Sequence, residues 1–344
     1  MLKTALDGAS EVSVAPSSLL DPQVQRLLAA AKRQGASAAD PLQQPLAVAR
    51  MAAERHYTFL NGPLPALARV DDVVIEGPAG PLPLRIHRPA TTGALPVLLW
   101  FHGGGFVLNS LDTHDRLLRL LARRSGAAVV GVAYSKAPER RFPTQVEEAA
   151  AALRWLTDHG AAHGLDAGRL AVGGDSAGAN LALTAALEAR DGGPRIALGV
   201  LLYGMFAANF DTDSHRCFGD GRYGLSTARM RWYWRQYLGT AAGGDARAEP
   251  LLADLGGLPP LLLVGAGVDC LLDDTLRLAE RLAEADVPHR LWVYPDLPHS
   301  FAQMARAVDA ADTAVTRIAA AVAEALAGVE DTPCPHAGGG PVIV

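Results

Sequence analysis

Cysteine is scarce: Cys217, Cys270 and Cys334 are the only three in 344 residues. They are odd in number and far apart, and no CxxC pair occurs, so neither a disulfide framework nor a local zinc motif is expected. HExxH is absent too, which removes the helix-borne zinc hydrolases. Lysine occurs only at Lys3, Lys32 and Lys136, and none follows glycine in a phosphate-loop pattern, so a P-loop is excluded. A surplus of one charge is also missing. The 31 basic and 36 acidic residues give a net charge of −5 with no long run of either sign. A nucleic-acid partner is therefore not expected. Long apolar runs are lacking: Leu258 to Val264 is far shorter than the ~20 residues of a spanning helix. Met1 to Leu20 lacks the basic-then-apolar order of an export signal. The expectation is a cytoplasmic protein with no membrane span.

What is present is material for a core. The hydrophobic fraction is 49% and the charged fraction 19%, which excludes a disordered chain. Residues 1–60 show helical spacing in Pro22 to Lys32 and Pro41 to Glu54, with Asp21 and Asp40 placed as N-caps just before a proline. From Val70 onward strand patterns recur. Val73 to Glu76 and Leu82 to His87 flank a Gly-Pro-Ala-Gly turn and predict a hairpin. Apolar runs then alternate with helical stretches: Pro96 to Phe101, Ala127 to Tyr134, Leu170 to Gly173, Ala197 to Tyr203, Pro260 to Val264 and Arg290 to Tyr294. Helices are expected near 113–124, 144–159, 177–190, 272–285 and 302–328. Continuous apolar strands separated by helices predict a mostly parallel eight-stranded sheet, its second strand antiparallel, with helices on both faces. A long insert after Tyr203 contains the aromatic-rich helix Ser226 to Leu238. The tail beyond about Gly328 reads as flexible.

Gly174-Asp175-Ser176-Ala177-Gly178 follows a short strand and opens a helix. A sharp strand–turn–helix exposes the Ser176 hydroxyl at its tip and marks it as a nucleophile. His102-Gly103-Gly104-Gly105-Phe106 follows the strand Pro96 to Phe101. Three glycines let backbone amides approach a reacting carbonyl oxygen and stabilise the charge that builds there. His102 is a tempting base, but its place in this loop fits a shaping role better. A dinucleotide fingerprint is not met: around Ser176 the glycine spacing fails, and Gly265-Ala-Gly267-Val-Asp-Cys270 ends in cysteine.

Together these motifs resemble the hormone-sensitive-lipase-like family of α/β-hydrolases, of the bacterial acetyl-esterase type. Tyr134-Ser-Lys-Ala-Pro-Glu139-Arg-Arg-Phe142-Pro143 and Tyr294-Pro295 with Pro298-His299-Ser-Phe301 are similar to further stretches of that family. The resemblance spans roughly residues 60–325. It implies an α/β-hydrolase fold with a helical cap: residues 1–60 as N-terminal cap helices, 61–204 as the first part of the core, 205–247 as a cap insert, 248–328 as the rest of the core and 329–344 as the tail.

The family order of Ser, Asp, His implies His299 as the base, since it alone follows the last strand in a loop over the sheet. The acid is sought among Asp269, Asp273 and Asp274. Asp269-Cys270-Leu271 fits the family's Asp-x-Leu, and Asp273 and Asp274 fall at a helix start, where carboxylates suit the dipole without a catalytic role. The implied oxyanion hole is Gly104, Gly105 and Ala177, with Gly103 making the turn. His102, Asp175 and Glu139 are expected to support the site. Phe106, Tyr203, Trp232 and Tyr233 are expected to touch the substrate. The implied activity is a serine carboxylesterase for short-chain acyl esters, acting through an acyl-enzyme with no metal or organic cofactor. An amidase, carbamate hydrolase or lactonase would use the same residues, and this fold also hosts non-catalytic ligand-binding relatives. Expected partners are a small-molecule ester and, in assembly, a second copy as a homodimer.

Overall fold

The computed structural model describes residues 19–240, 243–327 and 342–343. It opens with helices α1 (Pro22–Arg33) and α2 (Leu46–Asn61). Asp21 caps α1 as expected, accepting from the amides of Gln23 and Val24. Asp40 does not cap a helix. Its side chain accepts from Leu42 N and its carbonyl from Gln43 N, closing a turn, and α2 begins only after Pro45. Pro45 stands at the N-cap of α2 and makes no side-chain cap bond, so the Asp-Pro signal at Asp40 is passed over.

The hairpin β1 (Arg69–Gly77) and β2 (Gly80–Arg88) follows. The alternating part runs β3 (Leu95–Phe101), α3 (Leu111–Ser125), β4 (Ala128–Val132), α4 (Thr144–His159), β5 (Leu165–Asp175), α5 (Ala177–Arg190) and β6 (Leu198–Leu202). The insert carries α6 (Asp213–Phe218) and α7 (Thr227–Leu238), the latter capped by Ser226. Then come β7 (Leu261–Val268), α8 (Leu272–Glu284), β8 (His289–Pro298), α9 (Asp309–Leu326) and the two-residue β9 (Val342–Ile343).

All strands join one sheet in the order β1-β2-β4-β3-β5-β6-β7-β8-β9. Only β2 runs against its neighbours. The expected eight strands are therefore all present. The ninth pairs with Trp292 and Val293 of β8, inside the stretch read as a flexible tail. The rest of that tail, and residues 1–18 and 241–242 of the expected cap segments, lie outside the described residues.

Strand β3 shows why the sheet is covered twice. Val97, Leu99 and Phe101 enter one buried cluster with residues of α4, α5 and α8, while Leu98 and Trp100 enter another with α3 and α9. Period-two alternation with both faces apolar demands a layer of helices on each side. The helix expected over 302–328 is broken. A single tight turn, Phe301–Met304, precedes α9, whose first amide, Asp309 N, is capped by Gln23 Oε1 of α1 at 2.7 Å. No described helix is long and apolar enough to cross a membrane.

Gly178, in the first turn of α5, lies so close to β3 that a Cβ there would run into the Phe101 carbonyl. Gly178→Ala should therefore destabilise the protein beyond the roughly 0.5–3 kcal/mol of an ordinary substitution. Denaturant unfolding checks this; a change under 1 kcal/mol would mean that α5 is free to retreat from β3.

Candidate active site

Strand register assembles the site at the carboxyl ends of the parallel strands, where open α/β sheets place their ligands. Phe101 of β3 is paired with Gly174 of β5, so the glycine loop leaves the sheet beside Ser176. Val268 of β7 is paired with Pro298 of β8, so the next residues, Asp269 and His299, emerge side by side. Asp269 Oδ2 lies 2.7 Å from His299 Nδ1, and His299 Nε2 lies 3.0 Å from Ser176 Oγ. The Asp269 side chain is fully buried and its other oxygen accepts from Leu271 N at 3.1 Å. With Nδ1 donating to Asp269, Nε2 is left as an acceptor for the serine proton.

Ser176 holds φ +56°, outside the comfortable range of an L residue. Its amide donates to Leu202 O of β6 and its carbonyl accepts from Ala179 N, which pin the turn from both sides. Phe106, Asn109, Tyr203 and Ser300 share positive φ and surround the same site. Such conformations cost about 1–3 kcal/mol each and persist only where the surroundings hold them.

The glycine loop differs in detail from its expected form. Gly103 does not make the turn; Gly104 (φ +126°), Gly105 (φ +61°) and Phe106 (φ +62°) do. Gly103 is needed for closeness instead, since a Cβ on it would sit 2.6 Å from Asp175 Oδ2. The amides of Gly104 and Gly105 donate to no acceptor among the described residues, and Ala177 N opens a helix whose first amides have no partner within it. Among the described residues, three N–H groups are thus unengaged around Ser176.

His102 is buried, stacks on Tyr134 at 4.4 Å and bonds the Gly103 carbonyl through Nδ1 at 2.8 Å. Burial, reinforced by nearby His114, pushes its pKa down to about 3. Its described partners do not include Ser176. Glu139 receives both guanidinium nitrogens of Arg50 at 2.7 Å, which holds its carboxyl down at about 2. Arg50 also bonds the carbonyls of Val107 and Ala137, so the pair ties α2 to the loops beside the site.

A cavity of about 310 Å³ opens over Ser176. Its floor is Gly104, Gly105, Ser176 and His299, and its roof comes from residues 28–60 and 223–233. Arg229 of α7 joins the roof segments, bonding Ala39 O at 2.8 Å, Asp40 Oδ1 at 3.3 Å and Gly224 O at 3.1 Å. Tyr233 lines the cavity as expected and rests directly on Gly105. The other three residues expected to touch the substrate are not in the cavity lining. Phe106 turns into the core and stacks on Tyr237 at 3.7 Å. Tyr203 is buried behind His299, edge to face at 5.1 Å. Trp232 is half-buried against Tyr233 and lines no part of the cavity. Sequence reasoning missed Tyr57, His56 and Asn109, which do line it, because no local pattern brings them there.

A model of the α/β-hydrolase fold matches residues 98–303, a span that includes the glycine loop, the serine elbow and both relay partners. This chain belongs to the α/β-hydrolase family. The α/β-hydrolase is 40% identical over 260 residues to the esterase LipI of Mycobacterium tuberculosis, covering 72% of this chain and 80% of that one. It is 34% identical over 268 residues to an acetyl esterase of Salmonella paratyphi B, covering 75% and 80%. Among solved structures it is similar to a hyperthermophilic esterase from the archaeon Pyrobaculum calidifontis, with TM-score 0.82, 34% identity and coverage of 89% and 98%. A thermostable esterase from Pseudomonas putida gives TM-score 0.85 and 32% identity, covering 92% and 100%. The resemblance drawn from the sequence motifs therefore holds.

The remaining acidic candidates of this α/β-hydrolase have structural work. Asp273 accepts from Ser214 N at 2.9 Å. Asp274 lies in the first turn of α8, as expected, and is buried there, one oxygen accepting both Phe206 N (2.7 Å) and Ala207 N (3.2 Å). Cys270, between relay and helix, is a buried thiol whose pKa burial pushes upward.

Burial raises the Asp274 carboxyl from 3.8 to about 7 against the pull of those two amides. The folded state thus keeps a proton that the unfolded state releases near 3.8, and stability falls as pH rises between 3.8 and about 7. Asp274→Asn, which retains an acceptor for both amides, should flatten that part of the stability–pH curve. Unfolding midpoints at pH 5 and pH 8 test it; equal slopes in wild type and variant would show that Asp274 is ionised throughout.

Proposed function

We propose that this chain is a serine carboxylesterase that hydrolyses short-chain acyl esters. The observation that carries the reading is the unbroken Asp269–His299–Ser176 hydrogen-bond relay, with the serine at the floor of a cavity. Ser176 Oγ attacks the ester carbonyl while His299 Nε2 takes its proton. The tetrahedral oxyanion is held by the amides of Gly104, Gly105 and Ala177. His299 then delivers the proton to the leaving alcohol, and water, deprotonated by the same nitrogen, releases the acid and restores Ser176. Asp269 keeps the ring in the right tautomer and stabilises its cation.

Residues 1–60 and 205–247 are read as a two-part cap over a core formed by 61–204 and 248–328. The support is that the roof of the cavity is drawn from both capping stretches. The preference for short acyl groups rests on volume. About 310 Å³ lies at the small end of the roughly 300–1,000 Å³ typical of ligand pockets, and Tyr57, Tyr223 and Tyr233 stand in its walls. A packed wall resists further methylenes at a cost of about 1–3 kcal/mol.

Ser176→Ala should remove ester hydrolysis by orders of magnitude, as in an unrelated serine hydrolase where the loss is roughly a million-fold. Asp269→Asn should cost about 10⁴ in kcat through the wrong tautomer. Organophosphonate labelling followed by peptide mapping should place the adduct on Ser176, and labelling elsewhere would refute the assignment. Across p-nitrophenyl esters, kcat/KM should peak between acetyl and about hexanoyl. A value still climbing at palmitoyl would replace the short-chain reading with a lipase.

A further inference from the structure

Behind the nucleophile lies a second histidine–carboxylate pair that the relay does not use. His114, in the first turn of α3, is fully buried, with Nε2 3.1 Å from Asp175 Oδ2 and 3.3 Å from Gly103 N. Asp175 Oδ1 accepts from Gly103 N at 3.2 Å and from Trp100 Nε1 at 3.3 Å. Asp175 immediately precedes Ser176, and Gly103 opens the glycine loop. His114 therefore touches both segments whose spacing sets the distance from the serine oxygen to the loop amides.

Hydrogen bonds fix the orientation of the ring. Thr113 has one hydroxyl proton, which it gives to the Ser110 carbonyl at 2.7 Å, while its oxygen accepts Ser110 N at 3.0 Å in the cap of α3. The same oxygen lies 2.9 Å from His114 Nδ1, so the cap of α3 also holds the ring. The ring lies between Tyr57 and His102, at centroid distances of 5.8 Å and 5.4 Å. So held, Nε2 meets Asp175 and Gly103 among the described residues. Among the described residues, Asp175 has no arginine or lysine as a hydrogen-bond partner. Burial alone would raise its carboxyl, and His114 is the largest influence holding it below the usual range.

We propose that His114 is a positioning residue for ester hydrolysis. Through Asp175 and Gly103 it locks the glycine loop against the nucleophile elbow, so that the loop amides meet the oxyanion. The inference rests on the reading of Ser176 as the nucleophile. Misplacement of a reacting group by about 1 Å can cost 10²-fold in rate, and one lost oxyanion donor costs about 10²–10³ in kcat.

The test compares wild type, His114→Phe and His114→Gln on p-nitrophenyl butyrate, with inhibition by phenylboronic acid, which forms a tetrahedral anionic adduct on a serine oxygen. Phenylalanine keeps the ring packing and removes Nε2; glutamine restores a polar group within reach of Asp175. His114→Phe should lower kcat about 10- to 100-fold with KM within twofold, and should weaken the boronate by a similar factor. His114→Gln should stay within about fivefold of wild type on both measures. A His114→Phe kcat within twofold of wild type overturns the proposal, as does a kcat loss without weaker boronate binding, or glutamine no better than phenylalanine. If thermal unfolding shows that His114→Phe does not fold, His114→Gln decides: within about fivefold supports the proposal, and a larger loss overturns it. A wild-type chain that hydrolyses no ester fails the esterase reading and this inference together; an active wild type indifferent to His114→Phe fails this inference alone.

Discussion

Backbone hydrogen bonds between parallel strands set the spacing on which the rest of the molecule depends. The pairing of Val268 with Pro298 brings Asp269 and His299 together, and the pairing of Phe101 with Gly174 brings the glycine loop to Ser176. Both pairs are the last or nearly the last of their ladders. The reactive groups thus stand one residue beyond rigid structure, where side chains from different strands can converge on a point. Displacing β8 by one residue against β7 would turn the His299 side chain to the other face of the sheet.

That spacing is reinforced by contacts too close for any side chain. Gly103 abuts Asp175, Gly174 abuts the Gly178 carbonyl, and Gly178 abuts Phe101. With no Cβ in the way, β3, β5 and the start of α5 approach closely enough for one buried carboxylate, Asp175, to reach Trp100, Gly103 and His114 together. An isolated buried carboxylate would be costly in such surroundings. Three partners from three segments make it a junction.

Much of this was legible in the sequence, for identifiable reasons. Strands buried on both faces are continuous apolar runs, so β3 through β8 stand out. The elbow and the glycine loop demand glycine at fixed positions, and the serine–acid–histidine order leaves few residues for Asp269 and His299. Legibility fails where side-chain direction depends on a backbone angle. Phe106 follows the glycines and Tyr203 ends a strand, yet both have positive φ, which turns Phe106 under the cap and Tyr203 behind His299. It fails again at Asp40-Pro41, which carries the signal of a helix start yet closes a turn ahead of α2. No local pattern singles out His114; only the folded chain places it against Asp175.

The roof of the cavity is built from helices and loops that add no strand to the sheet, held together through Arg229. Reaction geometry and molecular fit are therefore specified by different stretches of chain. Substitutions in residues 28–60 or 223–233 can reshape what fits above Ser176 while leaving the ladders beneath untouched. Drift in one set of genetic positions is then decoupled from the other, and a single relay can be inherited intact through many changes of diet.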